Sequence, residues 1–244
     1  VALLVGCVQS VIALRINAAT VQVLARNGVE VIIPPAQGCC GSLSLHTGEQ
    51  DQARRLARGN FRAFRAALAE GIDAIVSNAA GCGSGMREYP LLFAGEADEG
   101  TARAFSEKCM DVSLFLSQLG LIEPGPLPVE MQAVYHDACH LAHAQGVVSE
   151  PRALLRSIPN LHLLEAPEAE ICCGSAGTYN IVEPEIGRTL GDRKAGNLLS
   201  TGAQAVITGN IGCMTQLRDR LGAAGKPIPV WHTMEALAMA YEGM

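Results

Sequence analysis

An adjacent cysteine pair occurs twice, as Cys39-Cys40-Gly41-Ser42 and Cys172-Cys173-Gly174-Ser175. Cys7 and Cys82 flank the first pair; Cys139 and Cys213 flank the second. The register holds throughout: Cys7 and Cys139 are 132 positions apart, Cys39 and Cys172 are 133, and Cys82 and Cys213 are 131. Two four-thiol sets in one register define a tandem repeat with a site in each half. Four thiolates suit soft iron, as an iron–sulfur cluster, or zinc, and do not suit magnesium or calcium. Structural zinc commonly uses short Cys-x-x-Cys knuckles, absent from both sets, whereas a cluster of several irons can be held from three separate loops. Iron–sulfur is therefore the leading reading, with zinc and thiol redox chemistry still open. Neighbouring side chains point apart, so each pair fits two irons of one cluster better than a single ion.

Histidines gather near the same segments: His46 follows the first pair, and His136, His140 and His143 surround Cys139. Imidazole can ligate a metal, donate to a sulfide or accompany an electron with a proton, so these four are candidates around the cofactor. Asp137 is placed either to orient the His136 ring or to cap the following helix. His162 and His232 read as unrelated to the sites. Cys109 fits neither repeat and reads as an ordinary small residue of a helix or strand edge.

The elements that must carry these residues alternate. Val1 to Val5, Val29 to Ile33 and Ile72 to Ser77 are short apolar runs, each followed by a cysteine segment, and Ser10 to Asn27 and Glu49 to Glu70 have helical spacing between them. In the second half Ala133 to Tyr135, Leu161 to Leu164 and Ala203 to Thr208 precede the cysteines, with Ile228 to Trp231 as a last strand. A helix spans Glu183 to Leu199, where Gly187 and Gly191 predict close packing, and another starts near Met234. Strands alternating with helices imply a parallel sheet, and loops leaving its carboxyl edge can bring distant residues together. The expected fold is α/β, a tandem repeat of two similar parallel-sheet domains related by a pseudo-two-fold. The Pro- and Gly-rich stretch from Leu121 to Val129 marks the boundary, giving domains 1–125 and 126–244. Residues 86 to 131 lie outside the clear repeat, with helical potential from Phe105 to Leu119. Arg54, Arg58, Arg62 and Arg65 read as a solvated helix face, as do Arg193 and Lys194; Trp231 reads as packing.

Composition agrees with a globular chain: 244 residues, 49% hydrophobic and 17% charged. A net charge of −6 with no basic, aromatic-interleaved patch sets nucleic acid aside. No apolar run approaches the roughly 18 to 20 residues that span a bilayer. No Gly-x-Gly-x-x-Gly fingerprint or phosphate loop supports flavin or nicotinamide bound by this chain itself. It opens at Val1 without methionine, inside an apolar run, as expected of a piece of something longer.

The doubled pattern resembles the cysteine-rich CCG domain found in heterodisulfide reductase, lactate-utilisation iron–sulfur proteins and the iron–sulfur subunit of glycolate oxidase. The wording is most similar to the last, in Gly6-Cys7-Val8-Gln9-Ser10, Gln37-Gly38-Cys39-Cys40-Gly41, Asn78-Ala79-Ala80-Gly81-Cys82-Gly83, Tyr135-His136-Asp137-Ala138-Cys139-His140 and Cys172-Cys173-Gly174-Ser175-Ala176-Gly177. The resemblance implies an iron–sulfur electron carrier; with four cysteines in each set, Cys7, Cys39, Cys40 and Cys82 and then Cys139, Cys172, Cys173 and Cys213, the expectation is one [4Fe–4S] cluster per half. It also implies flavin-bearing dehydrogenase subunits as partners and a quinone-type acceptor. The expected place is the cytoplasm, peripheral at the inner face of the membrane. In that family a ferredoxin-like domain precedes the CCG domains. The fullest family pattern ends in Cys-x-x-Cys, giving five thiolates for a noncubane cluster, but Gly85 and Gln216 stand at the last positions here. That departure keeps alternatives in view: a lactate-utilisation protein, zinc in one half, an assembly module built on structural zinc, or a thiol–disulfide reductase.

Overall fold

The computed structural model describes residues 1–242. Each half is built on a parallel sheet. In the first, β1 (Ala2–Leu4), β2 (Ile75–Ser77) and β3 (Cys109–Asp111) lie in that order. In the second, β4 (Met131–Tyr135), β5 (Leu161–Glu165), β6 (Ala205–Thr208) and β7 (Val230–His232) are ordered β5-β4-β6-β7. All pairings are parallel. The expected strand from Val29 to Ile33 reduces to a single bridge between Ile32 and Ala2. Pro34 and Pro35 follow it and carry no amide hydrogen to extend the ladder. With that bridge counted, Ile32-β1-β2-β3 repeats β5-β4-β6-β7.

One element departs from the sequence reading. The helix expected from Phe105 to Leu119 is broken by β3, which separates helix Glu99–Lys108 from helix Val112–Leu119. Cys109 opens that strand, buried, with its thiol on the Phe105 carbonyl at 3.3 Å. The segment outside the clear repeat thus supplies the counterpart of β7. Asp111 and His232 are the last residues of these two strands, paired in register with Ser77 and Thr208.

The halves share a core. One buried cluster joins Leu3, Val23, Leu24 and Val76 of the first half to Tyr135, Leu155, Ile207 and Leu237 of the second. The long helix Leu14–Arg26 packs against the last helix, Thr233–Glu242, and its exposed Arg15 forms an ion pair with Glu235. His232 braces the same junction: it is buried, its Nε2 is 2.8 Å from the Asn78 carbonyl, and its Nδ1 accepts from Met234 N–H. Among the described residues no helix is long and apolar enough to cross a membrane.

Candidate metal centres

Each cysteine set converges where strands of its sheet end. Cys7 follows β1, Cys82 lies in helix Ala80–Arg87 just after β2, and the first pair is carried on the loop entering helix Ser42–His46. That loop is clamped by buried Asn60, whose Oδ1 accepts from Gly38 N–H at 2.9 Å and whose Nδ2 donates to the Cys39 carbonyl at 3.0 Å. Tyr89 Oη adds a bond to the Cys40 carbonyl at 2.7 Å. In the second half Lys194 takes the clamping role, donating through Nζ to the carbonyls of Glu168 and Ala169 at 3.1 and 2.8 Å. This corrects the reading of Lys194 as solvated, because it is 0% exposed; Arg193 beside it is at the surface, paired with Glu168.

The two pairs share one backbone device. Gly41 and Gly174 both have φ of 84°, and their N–H groups donate to the preceding Cys39 and Cys172 sulfurs at 3.4 and 3.3 Å. The turn is pressed onto the next long helix. A Cβ on Gly174 would stand 2.3 Å from the Gly187 carbonyl oxygen, and one on Gly41 would stand 3.1 Å from that of Ala53. Gly187 and Gly191 thus do pack closely, as their spacing predicts; a Cβ on Gly191 would lie 2.7 Å from Arg220 Cγ.

Within each set the thiols form a chain of contacts, and their acidities diverge accordingly. Burial and then Cys39 raise Cys7; contact with Cys40 and burial raise Cys39. At Cys40 the pull of Cys39 downward is outweighed by Cys82 and burial, and the thiol is pushed up to about 12. In the second set contact with Cys172 and burial raise Cys139, while bonds from Cys139 and Cys173 lower Cys172. Cys173 rises through Cys172 and Cys213; Cys213 falls through Cys173, with His136 helping. Such crowded thiols can all ionise only when cations neutralise them, and a coordinated thiol is deprotonated outright. The donor set fits a cluster or another thiophilic metal centre.

The first set lines a cleft of about 150 Å³ whose far wall comes from the second half: His140, Gly177, Asn210, Ile211 and Gly212. His46 and His140 meet there in a stack, centroids 5.2 Å apart, and His140 Nδ1 is 3.5 Å from Cys139 Sγ. Burial and the neighbouring His140 lower the pKa of His46. His136 is buried, with Cys173 and Cys213 donor atoms within 4.8 Å of one another and of its ring. His143 is exposed and is not brought to the cleft. Asp137 neither orients His136 nor caps a helix: both its oxygens accept from Arg152, at 2.7 and 2.6 Å, and the helix Cys139–Ala142 has no side-chain cap. Arg152 also lies 4.9 Å from the Tyr135 ring centre.

Three polar residues escape the sequence reading. Asn210 donates to Cys213 Sγ at 3.3 Å and accepts from Gly81 N–H at 3.4 Å, joining the two sets. Ser42 Oγ is 3.1 Å from Cys40 Sγ, and a Cβ on Gly85 would fall 1.9 Å from that hydroxyl. Asn60 is the third. The signal for Asn210 is the difference between repeats, since Ala79 holds its position in the first half.

Two parallel sheets, each presenting a four-thiol set at its strand ends, define a duplicated cysteine-rich α/β protein. The chain belongs to the family of the CCG cysteine-rich domain, whose model matches residues 1–87 and again 133–218. It is 37% identical over 231 residues to the probable glycolate oxidase iron-sulfur subunit of Bacillus subtilis, covering 93% of this chain and 51% of that one. It thus spans about half the length of that relative. Lactate utilization protein A of Oceanobacillus iheyensis is 31% identical over 245 residues, 100% of this chain and 98% of the relative. A solved structure of a hypothetical protein from Helicobacter pylori aligns with 98% of this chain and 48% of that one, with a TM-score of 0.66 and 10% identity. That last likeness is one of fold.

Proposed function

We propose that this chain is an iron–sulfur electron-transfer subunit of an oxidoreductase complex of the glycolate-oxidising type, holding one [4Fe–4S] centre in each half. The observation that carries the reading is the convergence of four thiols per sheet edge, each pair with an amide N–H aimed at its first sulfur. A bound cluster supplies one-electron storage; amide donors to sulfur are a lever on its potential. The chain's own residues fix the donor loops through Asn60 and Lys194 and close the first cleft with residues of the second half. The names of the Bacillus subtilis and Oceanobacillus iheyensis relatives support the class. Oxidation of the substrate belongs to flavin-bearing partner subunits, and the acceptor is of quinone type.

Anaerobic purification followed by iron, zinc and acid-labile sulfide analysis tests the reading. The expected product is brown, with about four irons and four sulfides per cysteine set. A colourless, sulfide-free protein carrying stoichiometric zinc would sink it. Cys40→Ser and Cys173→Ser should each remove one centre; unchanged cluster content in both means that the ligand assignment is wrong. With its flavoprotein partners present, glycolate should bleach the chain's visible absorption, and bleaching by lactate instead would move it to the other pathway.

A further inference from the structure

We propose that His136 is a direct ligand of the second centre, beside Cys173 and Cys213, so that the two halves hold chemically different sites: sulfur donors alone in the first, sulfur and an imidazole nitrogen in the second. The inference rests on the proposal that these cysteines hold clusters. His136 is 1% exposed, neither Nδ1 nor Nε2 is bonded to a nitrogen or oxygen, and the polar group that acts on the ring is the Cys213 thiol. A buried imidazole must normally satisfy at least one ring nitrogen, and burial without partners is unfavourable. The donors facing the ring are the sulfurs of Cys173 and Cys213, with all three ligand atoms within 4.8 Å. Nitrogen and sulfur ligands sit about 2.0 and 2.3 Å from a shared metal atom, so one metal can be reached by this group.

Apart from the cysteine sulfurs, the polar neighbours of the ring are already engaged. Asp137, its neighbour in sequence, is taken by Arg152. Gln216, standing where the family pattern has a further thiolate, is turned away: its Nε2 donates to the Gly187 carbonyl at 3.0 Å and its Oε1 accepts from Asn180 at 2.9 Å. The second half thus lacks that thiolate but offers a nitrogen from the residue that follows β4. In the first half Leu4 holds the corresponding place, buried in the apolar core. The repeat therefore encodes the difference in one residue.

Coordination needs no redox step: neutral imidazole gives the lone pair of one nitrogen to the metal and keeps the proton on the other. A neutral imidazole adds no charge to the thiolates already present, so the difference between the two centres lies in the donor atom and not in the ligand charge.

The test uses the full chain, reconstituted anaerobically with ferrous iron and sulfide, in natural-abundance and 15N-histidine forms, and reduced for pulsed electron paramagnetic resonance. The expected result is a strong histidine-nitrogen coupling that changes isotope with the label, is lost in His136→Leu and survives in His140→Leu. Full iron and sulfide content without that coupling, or a coupling that persists in His136→Leu, overturns the ligand assignment and leaves the cluster reading intact. Failure of the wild-type chain to take up iron and sulfide overturns both. Because the labelled wild type is decisive alone, misfolding of a variant does not blunt the result.

Discussion

Asn210 donates to Cys213 Sγ at 3.3 Å while its carbonyl oxygen receives the N–H of Gly81, the residue before Cys82. One side chain thus ties the last thiol of the second set to the first turn of the helix that carries the last thiol of the first. A hydrogen bond to a sulfur favours the reduced state, so Asn210→Ala should lower the second centre's midpoint potential by on the order of tens of mV. Redox titration in a Cys40→Ser background, which isolates that centre, reads the shift; an unchanged potential counts against the bond.

Lys194 places a buried cation on the second half where the first half has neutral Asn60. Burial lowers its pKa, whereas Asp137 and the thiols Cys173, Cys213 and Cys172 favour its charge. Lys194→Met should drop the potential of the second centre and leave the first unmoved, because a positive charge in a poorly solvated site stabilises the electron. Equal shifts in both centres would point to general loosening.

Asp111 and His232 occupy matching strand ends and titrate in opposite senses. Burial, only partly offset by bonds from Ser113, pushes Asp111 up to about 6 from 3.8, and burial takes His232 down to about 4 from 6.5. For Asp111 the folded value lies above the unfolded one, so its contribution is held below about pH 4 and lost as pH rises to 6. For His232 the folded value lies below, so stability is gained as pH rises from about 4 to 6.5. The slopes nearly cancel. Asp111→Asn should unmask the His232 slope, a rise on the order of 3 kcal/mol across that window, and should stabilise the chain at pH 7. Urea titrations of the metal-free chain at pH 4, 5, 6 and 7 check this, and a flat profile in the variant refutes it.

Ser42 fills the space that a side chain at position 85 would need. Gly85→Cys alone should therefore destabilise the chain by about 1–3 kcal/mol without adding a ligand. Ser42→Gly combined with Gly85→Cys should recover most of that loss and place a fifth thiol by Cys40. Thiol counting and thermal melts of the two variants decide it; equal stability would show that Ser42 moves freely.

The cysteine sets and most strands are legible because both obey short rules: a fixed register in one case, apolar runs ending in glycine and cysteine in the other. The strand Cys109–Asp111 is hidden because three residues between two helices carry no period of their own. Lys194 misleads because a lysine on a helix normally faces water, and nothing local reveals that the carbonyls of Glu168 and Ala169 will meet it. Arg54 and Arg58 likewise read as solvated, yet pair with Glu96 and Asp98 about 40 positions on. Asp137 looks like a partner for its sequence neighbours and belongs instead to Arg152. Residue type exposes the donors; only the fold reveals which partners are already taken.

The packing of helix Leu14–Arg26 against helix Thr233–Glu242 has a consequence for synthesis. As the chain leaves the ribosome, Val23 and Leu24 emerge well before the residues that cover them, Leu237 among them. The first repeat cannot finish its interior until the second has been made. The cleft around Cys7 and Cys39 likewise lacks its far wall, which His140 and Asn210 supply, until the second half has been made.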